Sequence, residues 1–447
     1  MLTIASALNA VVLGNVICGS TPALAQRESA RTLAFSSEDH YSSHFRAFAS
    51  APRSHSREFT AFLAASNLQL PNASDSATQN CQLLPATQTY GVGRLAADIQ
   101  PNTLAPFAAS LPPFTAADAD TAVDSYIKAF VTPKGDGSFI KGDQNGGDPG
   151  FWQEIEQIEG IEDANDRTHG KYNGQVSALL NGFVAAHGSD WSYNIYNDDI
   201  SWATMAFTRG YLATKNKQFL TIAKSNFDTM FARAWNPANG ALYWTTDKTS
   251  YNSCIECPAG VAAYMLSLAL KDQRYTAKAQ SLYTWEKANL VDSSTGAVWD
   301  AINVAGKIGT WSSTYNQGTF IGLADDLGHT AIAEQSADYM MHHIGSQTPN
   351  GTCLMPEYGS GGDNNAGLNS IGLRWVAKFM KVRHLQSRYL PWLQMNANTA
   401  WNIRRTSDNL SWDQWLHPTP DGVLHSWDCI NSVVALQVTP PASILGK

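Results

Sequence analysis

From about Thr115 onward, apolar positions recur with the period of a helix buried on one face. "TAADADTAVDSYIKAFV" opens with a capping Thr or Asp and predicts a helix over 115–131. Ile200, Ala203, Phe207 and Tyr211 form one apolar stripe. Val261, Tyr264, Met265 and Leu268 form a second, and Ala333, Ala337, Met340 and Ile344 a third. Alternating strand patterns are scarce, so the reading is all-α. Between the helical stretches lie loops rich in Gly, Asn, Asp and Trp.

A weak repeat runs through this pattern. "KNKQFLTIAKSNFDTMF" and "KDQRYTAKAQSLYTWEK" place Phe219 and Ala223 in register with Tyr275 and Ala279, 56 positions on. "GHTAIAEQSADYMMHHI" follows at a similar interval without the aromatic. Six helical hairpins between Thr115 and Val438 would each span about 54 residues. Six hairpins closing on themselves make an (α/α)6 barrel, and an open superhelix of helix pairs is the alternative. Long polar-aromatic loops favour the closed form, where they would line one mouth.

Residues 27–112 differ. They are rich in Ser, Ala and Pro and show no sustained period beyond a short helical stretch near Phe59–Ala65. Before them, an apolar run from Ile4 to Cys18 leads to Ala23-Leu24-Ala25, which reads as a signal-peptidase site, although no Lys or Arg precedes the run. The expected organisation is therefore a leader over 1–25, an extension of unknown role over 26–112 and an (α/α)6 domain over 113–447, secreted or periplasmic. No later run approaches the ~18 apolar residues of a membrane span. Five cysteines follow the leader: Cys81, Cys254, Cys257, Cys353 and Cys429. Cys254 and Cys257 form a lone C-x-x-C, which predicts a local disulfide or two buried thiols more readily than a zinc or redox site.

Composition narrows the partners. Of 447 residues only 15% are charged, while Trp, Tyr and Phe number 14, 16 and 17. A surface poor in charge and rich in aromatics suits a neutral, hydroxyl-covered ligand, although most of the aromatics serve a large core. A net charge of −8 without a basic run argues against nucleic acid or an anionic membrane. His342 and His343 are consecutive and point apart on a helix, so they make a poor metal pair. Asp363, in a Gly- and Asn-rich loop, is better read as part of a turn than as a cation ligand. No cofactor, metal or nucleic-acid partner is expected, and the chain is expected to be a monomer.

Three segments carry candidate chemistry. In Tyr196-Asn197-Asp198-Asp199-Ile200-Ser201-Trp202 a loop enters a strong helix. The plain reading is an acidic N-terminus capped by Asn197 or Asp198. The chemical reading is glycoside hydrolysis, in which one carboxylate attacks or positions water and the other donates a proton to the leaving oxygen. Neighbouring carboxylates resist ionising together, which supplies that division of labour. The second segment, Ser313 to Gly322, holds Tyr315-Asn316-Gln317, uncharged donors and acceptors suited to hydroxyls, or simply a loop entering a buried helix. The third, Tyr251 to Pro258, is another helix entry, with Asn252 or Glu256 facing the same mouth.

Taken in order, these segments resemble glycoside hydrolase family 76, the endo-α-1,6-mannanases. "FWQEIEQIEGIEDANDRT" is similar to the family's early tryptophan-and-acid helix, "YNDDISWATMAFTRGY" to its adjacent-Asp motif and "NPANGALYWTTD" to its Gly–Trp segment. "YNSCIECPAGVAAYML", "STYNQGTFIGLADDL" and "HSWDCINSVVALQ" resemble later elements in sequence, so the likeness spans roughly 150–437. The resemblance implies an (α/α)6 barrel that hydrolyses α-1,6-mannosides with retention. Asp198 would be the nucleophile and Asp199 the general acid/base. Tyr196, Asn197, Trp202, Trp244, Asn252, Tyr315, Asn316 and Gln317 are the expected contacts for an α-mannan substrate. The family's late Phe-Lys-Gly segment and Arg are represented here by Leu368 to Trp375, which has Arg374 but no Lys. Alternatives on the same fold are a wall-remodelling mannan transglycosylase and a catalytically dead mannan-binding protein. A helical array binding a protein partner would instead need exposed apolar faces.

Overall fold

The computed structural model describes residues 111–442. The expected leader and nearly all of the extension lie outside the described residues.

Twelve helices lie within this span: α1 (Ala116–Phe130), α2 (Phe151–Arg167), α3 (Asn173–His187), α4 (Asn197–Thr214), α5 (Lys217–Ala234), α6 (Ser253–Leu270), α7 (Gln273–Asn289), α8 (Thr314–Asp326), α9 (Thr330–His343), α10 (Leu368–Arg383), α11 (Gln386–Asn402) and α12 (Ser426–Val438). The even-numbered helices pack in succession, and α12 closes on α2. The odd-numbered helices lie outside them, each against an inner neighbour, with α1 on α12. This is the expected (α/α)6 barrel.

The two rings obey different burial rules. Outer α5 buries Phe219, Ile222, Ala223, Asn226, Phe227, Met230 and Phe231, a one-faced stripe. Inner α2 is buried without a break from Glu154 to Asn165. The repeat seen in the sequence belongs to the outer ring: Phe219 and Ala223 of α5 and Tyr275 and Ala279 of α7 are all buried. The stripe expected on α6 stops short of Leu268, which is 61% exposed. Helix α6 is also long and apolar enough to cross a membrane. It is that apolar because it lies in the inner ring, with ring neighbours on both sides and α7 outside. Helix α1 begins as predicted, with Thr115 and Asp118 forming a reciprocal capping box.

Inner helices pass to outer ones through tight turns. Lys215, Lys271 and His384 end α4, α6 and α10 in the left-handed conformation. Outer helices return through the long connections 131–150, 188–196, 235–252, 290–313, 344–367 and 403–425. Every inner helix therefore runs the same way, and all six inner N-termini open on one mouth. The nine short strands sit in these long connections: β1 (Val131–Lys134) with β2 (Gly137–Ile140), β3 (Trp235–Asn236) with β4 (Ala241–Leu242), β5 (Ser250–Asn252) with β6 (Ala301–Asn303) and β7 (Ile308–Gly309), and β8 (Ser346–Gln347) with β9 (Cys353–Leu354). Their pairings are antiparallel, and β5–β6 places Asn252 opposite Ala301.

Below the mouth the lumen is charged. Arg374 of α10 reaches across the barrel to α2, with Nε 2.7 Å from Asp163 and Nη1 3.0 and 2.9 Å from Glu156 and Glu159. Arg209 of α4 joins Asp163, Glu159 and Glu162 from the other side. Arg374 thus braces the inner ring and does not sit with the residues of the mouth. Cys254, Cys257 and Cys429 are buried free thiols, and Cys353 is disulfide-bonded.

Candidate active site

Asp198 and Asp199 occupy the first turn of α4, at the mouth. The loop before them is held from three sides. Asn197 N–H donates to the Trp244 carbonyl (2.9 Å) and Thr246 N–H to that of Ile195 (3.0 Å). Arg233 of α5 donates to the carbonyls of Ser192 (2.8 Å) and Asn194 (2.5 Å) and to Asn197 Oδ1 (2.7 Å). Asn194 Nδ2 donates to Asp199 Oδ2 at 2.8 Å, and its own Oδ1 accepts from Tyr196 N–H.

The two carboxyls have different surroundings. Asp199 is 9% exposed; burial and then the Asp198 charge push its pKa up to about 8, with Asn194 pulling the other way. Asp198 is half-buried, and burial raises it to about 6, opposed by the Trp244 indole and the Cys254 thiol. Although these two groups act on Asp198, neither Trp244 Nε1 nor Asp198 Oδ1 completes a hydrogen bond. That leaves one donor and one acceptor free in the floor of the mouth. Burial raises both carboxyls, and the Asp198 charge raises Asp199 further, so of the two Asp199 has the higher proton affinity.

A third carboxyl was not singled out from the sequence. Asp300, just before β6, is half-buried, is raised to about 6 by burial and accepts from Asn316 Nδ2 at 3.1 Å. It acts on Cys254 and Tyr315, as Asp198 also does, so the three elements α4, α6 and α8 meet here. Nothing in a lone Asp after a Trp marks it in the sequence.

The other expected contacts divide into two groups. Tyr196 and Trp244 lie ring against ring at 5.5 Å, with Tyr196 41% exposed, and offer an aromatic rim. Tyr315 is half-buried beside Trp202 (6.4 Å between rings), whereas Trp202 itself is only 1% exposed. Asn316 is buried and spends one amide bond on Asp300, with Oδ1 unpartnered. Asn252 is nearly buried and its Oδ1 accepts from Ser250. Gln317 has nothing left for a sugar: Oε1 accepts from Val298 N–H, and Nε2 donates to the carbonyls of Gly296 and Ser336. Asn197 is likewise buried between Arg233 and the Tyr243 carbonyl. For Gln317, Asn197 and Trp202 the expectation of direct sugar contact is corrected, because burial directs them into the framework under the mouth. Glu256, the other residue of its segment, is buried and accepts from Leu242 N–H at 2.6 Å. Among the described residues, no group of three His, Cys, Asp or Glu is arranged to hold a metal ion.

The inner ring thus presents an adjacent carboxyl pair under an aromatic rim at one mouth of a helical barrel. The family model for glycosyl hydrolase family 76 matches residues 163–440, and the chain belongs to that family. Solved structures agree with the fold. The GH76A α-1,6-mannanase of Salegentibacter sp. HEL1_6 aligns with a TM-score of 0.64 at 23% identity, covering 72% of this chain and 98% of that one. An inactive variant of that enzyme, with two consecutive aspartates replaced by asparagine, was solved with α-1,6-mannotriose and aligns at 22% identity over the same shares, again with a TM-score of 0.64. Dfg5 of Chaetomium thermophilum, in complex with glucosamine, aligns with a TM-score of 0.62 at 15% identity, covering 74% of this chain and 92% of that one. No curated protein matches the chain.

Proposed function

We propose that the protein is an exported, retaining endo-α-1,6-mannanase. The observation that carries this reading is the adjacent pair Asp198–Asp199 in the first turn of α4 at the mouth of the barrel, with Asp199 the more buried of the two. Asp198 attacks the anomeric carbon while Asp199 gives its proton to the departing glycosidic oxygen. The ionised Asp199 then takes a proton from water, which attacks the mannosyl–Asp198 ester and frees Asp198. The charge of Asp198 raises Asp199, so the two carboxyls lie close enough to interact. The helix N-terminus favours the carboxylate form of Asp198. Tyr196 and Trp244 supply faces for sugar C–H surfaces, and Asp300 an acceptor for hydroxyls.

A second reading, transfer to a sugar acceptor in place of water, draws support from the loop beside Asp199. There Tyr193 and Ile195 are 59% and 53% exposed, a surface on which an acceptor ring could rest.

The test is incubation of the full chain, and of its Asp198→Asn form, with unbranched α-1,6-mannan and with an α-glucan. Short mannooligosaccharides from the wild type alone, and from mannan alone, are expected. Products longer than the substrate in the presence of added acceptor would favour transfer, and binding without turnover would leave a lectin.

A further inference from the structure

Behind the site lies a hydrogen-bond chain with one proton too few. Ser253, the first residue of α6, is fully buried. Its Oγ lies 2.5 Å from Glu286 Oε1 and 2.5 Å from the Trp299 carbonyl oxygen. A hydroxyl carries one proton, and a carbonyl can only accept. If Ser253 donates to Glu286, two bare oxygens face each other at 2.5 Å across the Trp299 contact. If it donates to Trp299, the short contact to Glu286 requires a proton on the carboxyl. Only the second arrangement satisfies both contacts.

We propose that Glu286 is a positioning residue that works as a neutral acid: it donates to Ser253 Oγ, commits the Ser253 proton to the Trp299 carbonyl, and so fixes the strand that presents Asp300 beside Asp198. The claim that this strand serves sugar binding rests on the mannanase reading; the protonation of Glu286 does not. The segment that leads into β6 is also held by Ser253 N–H to the Asp300 carbonyl (2.9 Å), Asp300 N–H to the Gly309 carbonyl (3.1 Å) and Val298 N–H to Gln317 Oε1 (2.9 Å). The Ser253 hydroxyl is the grip on Trp299 between them. Glu286 sits on outer helix α7, 0% exposed, and Oε2 completes no hydrogen bond although the Cys257 thiol acts on the carboxyl, a cheaper state for a neutral acid than for a carboxylate. The titratable groups that act on it are Cys257 of α6 and Asp300 before β6, while its own charge raises Glu256 of α6, and none of these is a cation. Burial pushes its pKa up to about 8, opposed by the Ser253 hydroxyl and the Cys257 thiol. Above that value the carboxylate takes the Ser253 proton for itself, the Trp299 carbonyl loses its donor and the Asp300 strand slackens.

The test separates this proton from that of Asp199 by working in an Asp199→Asn background. Calorimetric binding of α-1,6-mannotetraose should weaken about tenfold between pH 7 and pH 9, because the competent fraction falls as Glu286 ionises. In Asp199→Asn/Glu286→Gln the amide keeps a donor to Ser253 and cannot ionise, so affinity should match the pH 7 value to within about twofold throughout. In Asp199→Asn/Ser253→Ala the affinity should be weaker at every pH and flat. A flat profile in Asp199→Asn, or a slope that survives Glu286→Gln, overturns the proposal. Absence of mannotetraose binding at every pH would sink the mannanase reading instead. Infrared difference spectra of the unliganded protein at pH 7 then decide the matter for Glu286 alone: a protonated-carboxyl band lost in Glu286→Gln is expected, and its absence overturns the assignment.

Discussion

Asn194 Nδ2 sits 2.8 Å from Asp199 Oδ2, so the buried carboxyl with the higher proton affinity is met by a neutral amide donor and not by a cation. A cation there would pull the pKa into the ordinary carboxylate range and leave no proton to give at neutral pH. The amide orients the group and lowers its pKa only in part.

Removing that donor should therefore move the alkaline limb of activity upward. In Asn194→Ala the Asp199 proton is held more tightly and its carboxyl less firmly. The pH profile of kcat/KM on α-1,6-mannooligosaccharides should shift to higher pH, while kcat falls by up to about tenfold, as for loss of one buried hydrogen bond. An unmoved alkaline limb would refute the role given to Asn194.

The pair also costs stability. Asp199 releases its proton near pH 8 in the folded chain, against about 3.9 unfolded. Between those values the folded state binds more protons than the unfolded one, so stability falls as pH rises through the window, and the cost vanishes below about 3.9. Asp199→Asn removes it. The variant should melt higher than wild type at pH 7, by an amount of order a few kcal/mol, and the gain should shrink toward pH 4. Scanning calorimetry across that range checks it; a gain independent of pH would mean that ionisation is not its source.

Arg374 makes the opposite case, a charge whose removal is costly. Its guanidinium serves Glu156, Glu159 and Asp163 across the lumen, and burial followed by the Glu159 charge already raises Glu156 to about 8. Arg374→Met would strand those carboxyls and should cost about 3–5 kcal/mol at pH 7. The cost of a stranded buried charge falls as pH falls, so the loss should be smaller at pH 5. Urea midpoints at the two pH values measure both; equal losses would assign the effect to packing.

These cases explain what could be read from the chain alone. The repeat is legible on the outer helices because solvent on one side keeps the stripe clean, as at Phe219, Ala223, Tyr275 and Ala279, whereas the stripes read on inner α4 and α6 are only part of surfaces buried nearly all round. The inner helices have no polar outside. In α2 the lumen-facing acids interrupt what would otherwise be an apolar run, and the sequence takes on the look of a charged surface. Asp198 and Asp199 were legible because consecutive acids at a helix entry are a pattern. Arg233, Asp300 and Glu286 were not, since each acts through groups distant in sequence: Arg233 on the loop around Asn194, and Glu286 through Ser253. Amides carry the same ambiguity. Nothing local distinguishes Gln317, whose amide is spent on backbone, from one aimed at a hydroxyl.

The Gly in the Tyr315-Asn316-Gln317-Gly318 segment has a packing reason that the amides do not share. A Cβ on Gly318 of α8 would lie 2.8 Å from Gly372 Cα and 3.1 Å from the Ile371 carbonyl oxygen of α10. Both obstacles are backbone, so the two helices must part for the methyl to enter. Gly318→Ala should destabilise the barrel by about 1–3 kcal/mol. It should also lower activity, because the first turn of α8 carries Tyr315 and Asn316 to the site. Gly174 of α3 provides the contrast: a Cβ there meets nothing within 4 Å. Gly174→Ala should stabilise by up to about 1 kcal/mol through helix propensity alone. Chemical denaturation of the two variants compares the same added methyl with opposite expected signs, and a neutral Gly318→Ala would show that the α8–α10 approach is not as tight as the backbone distances require.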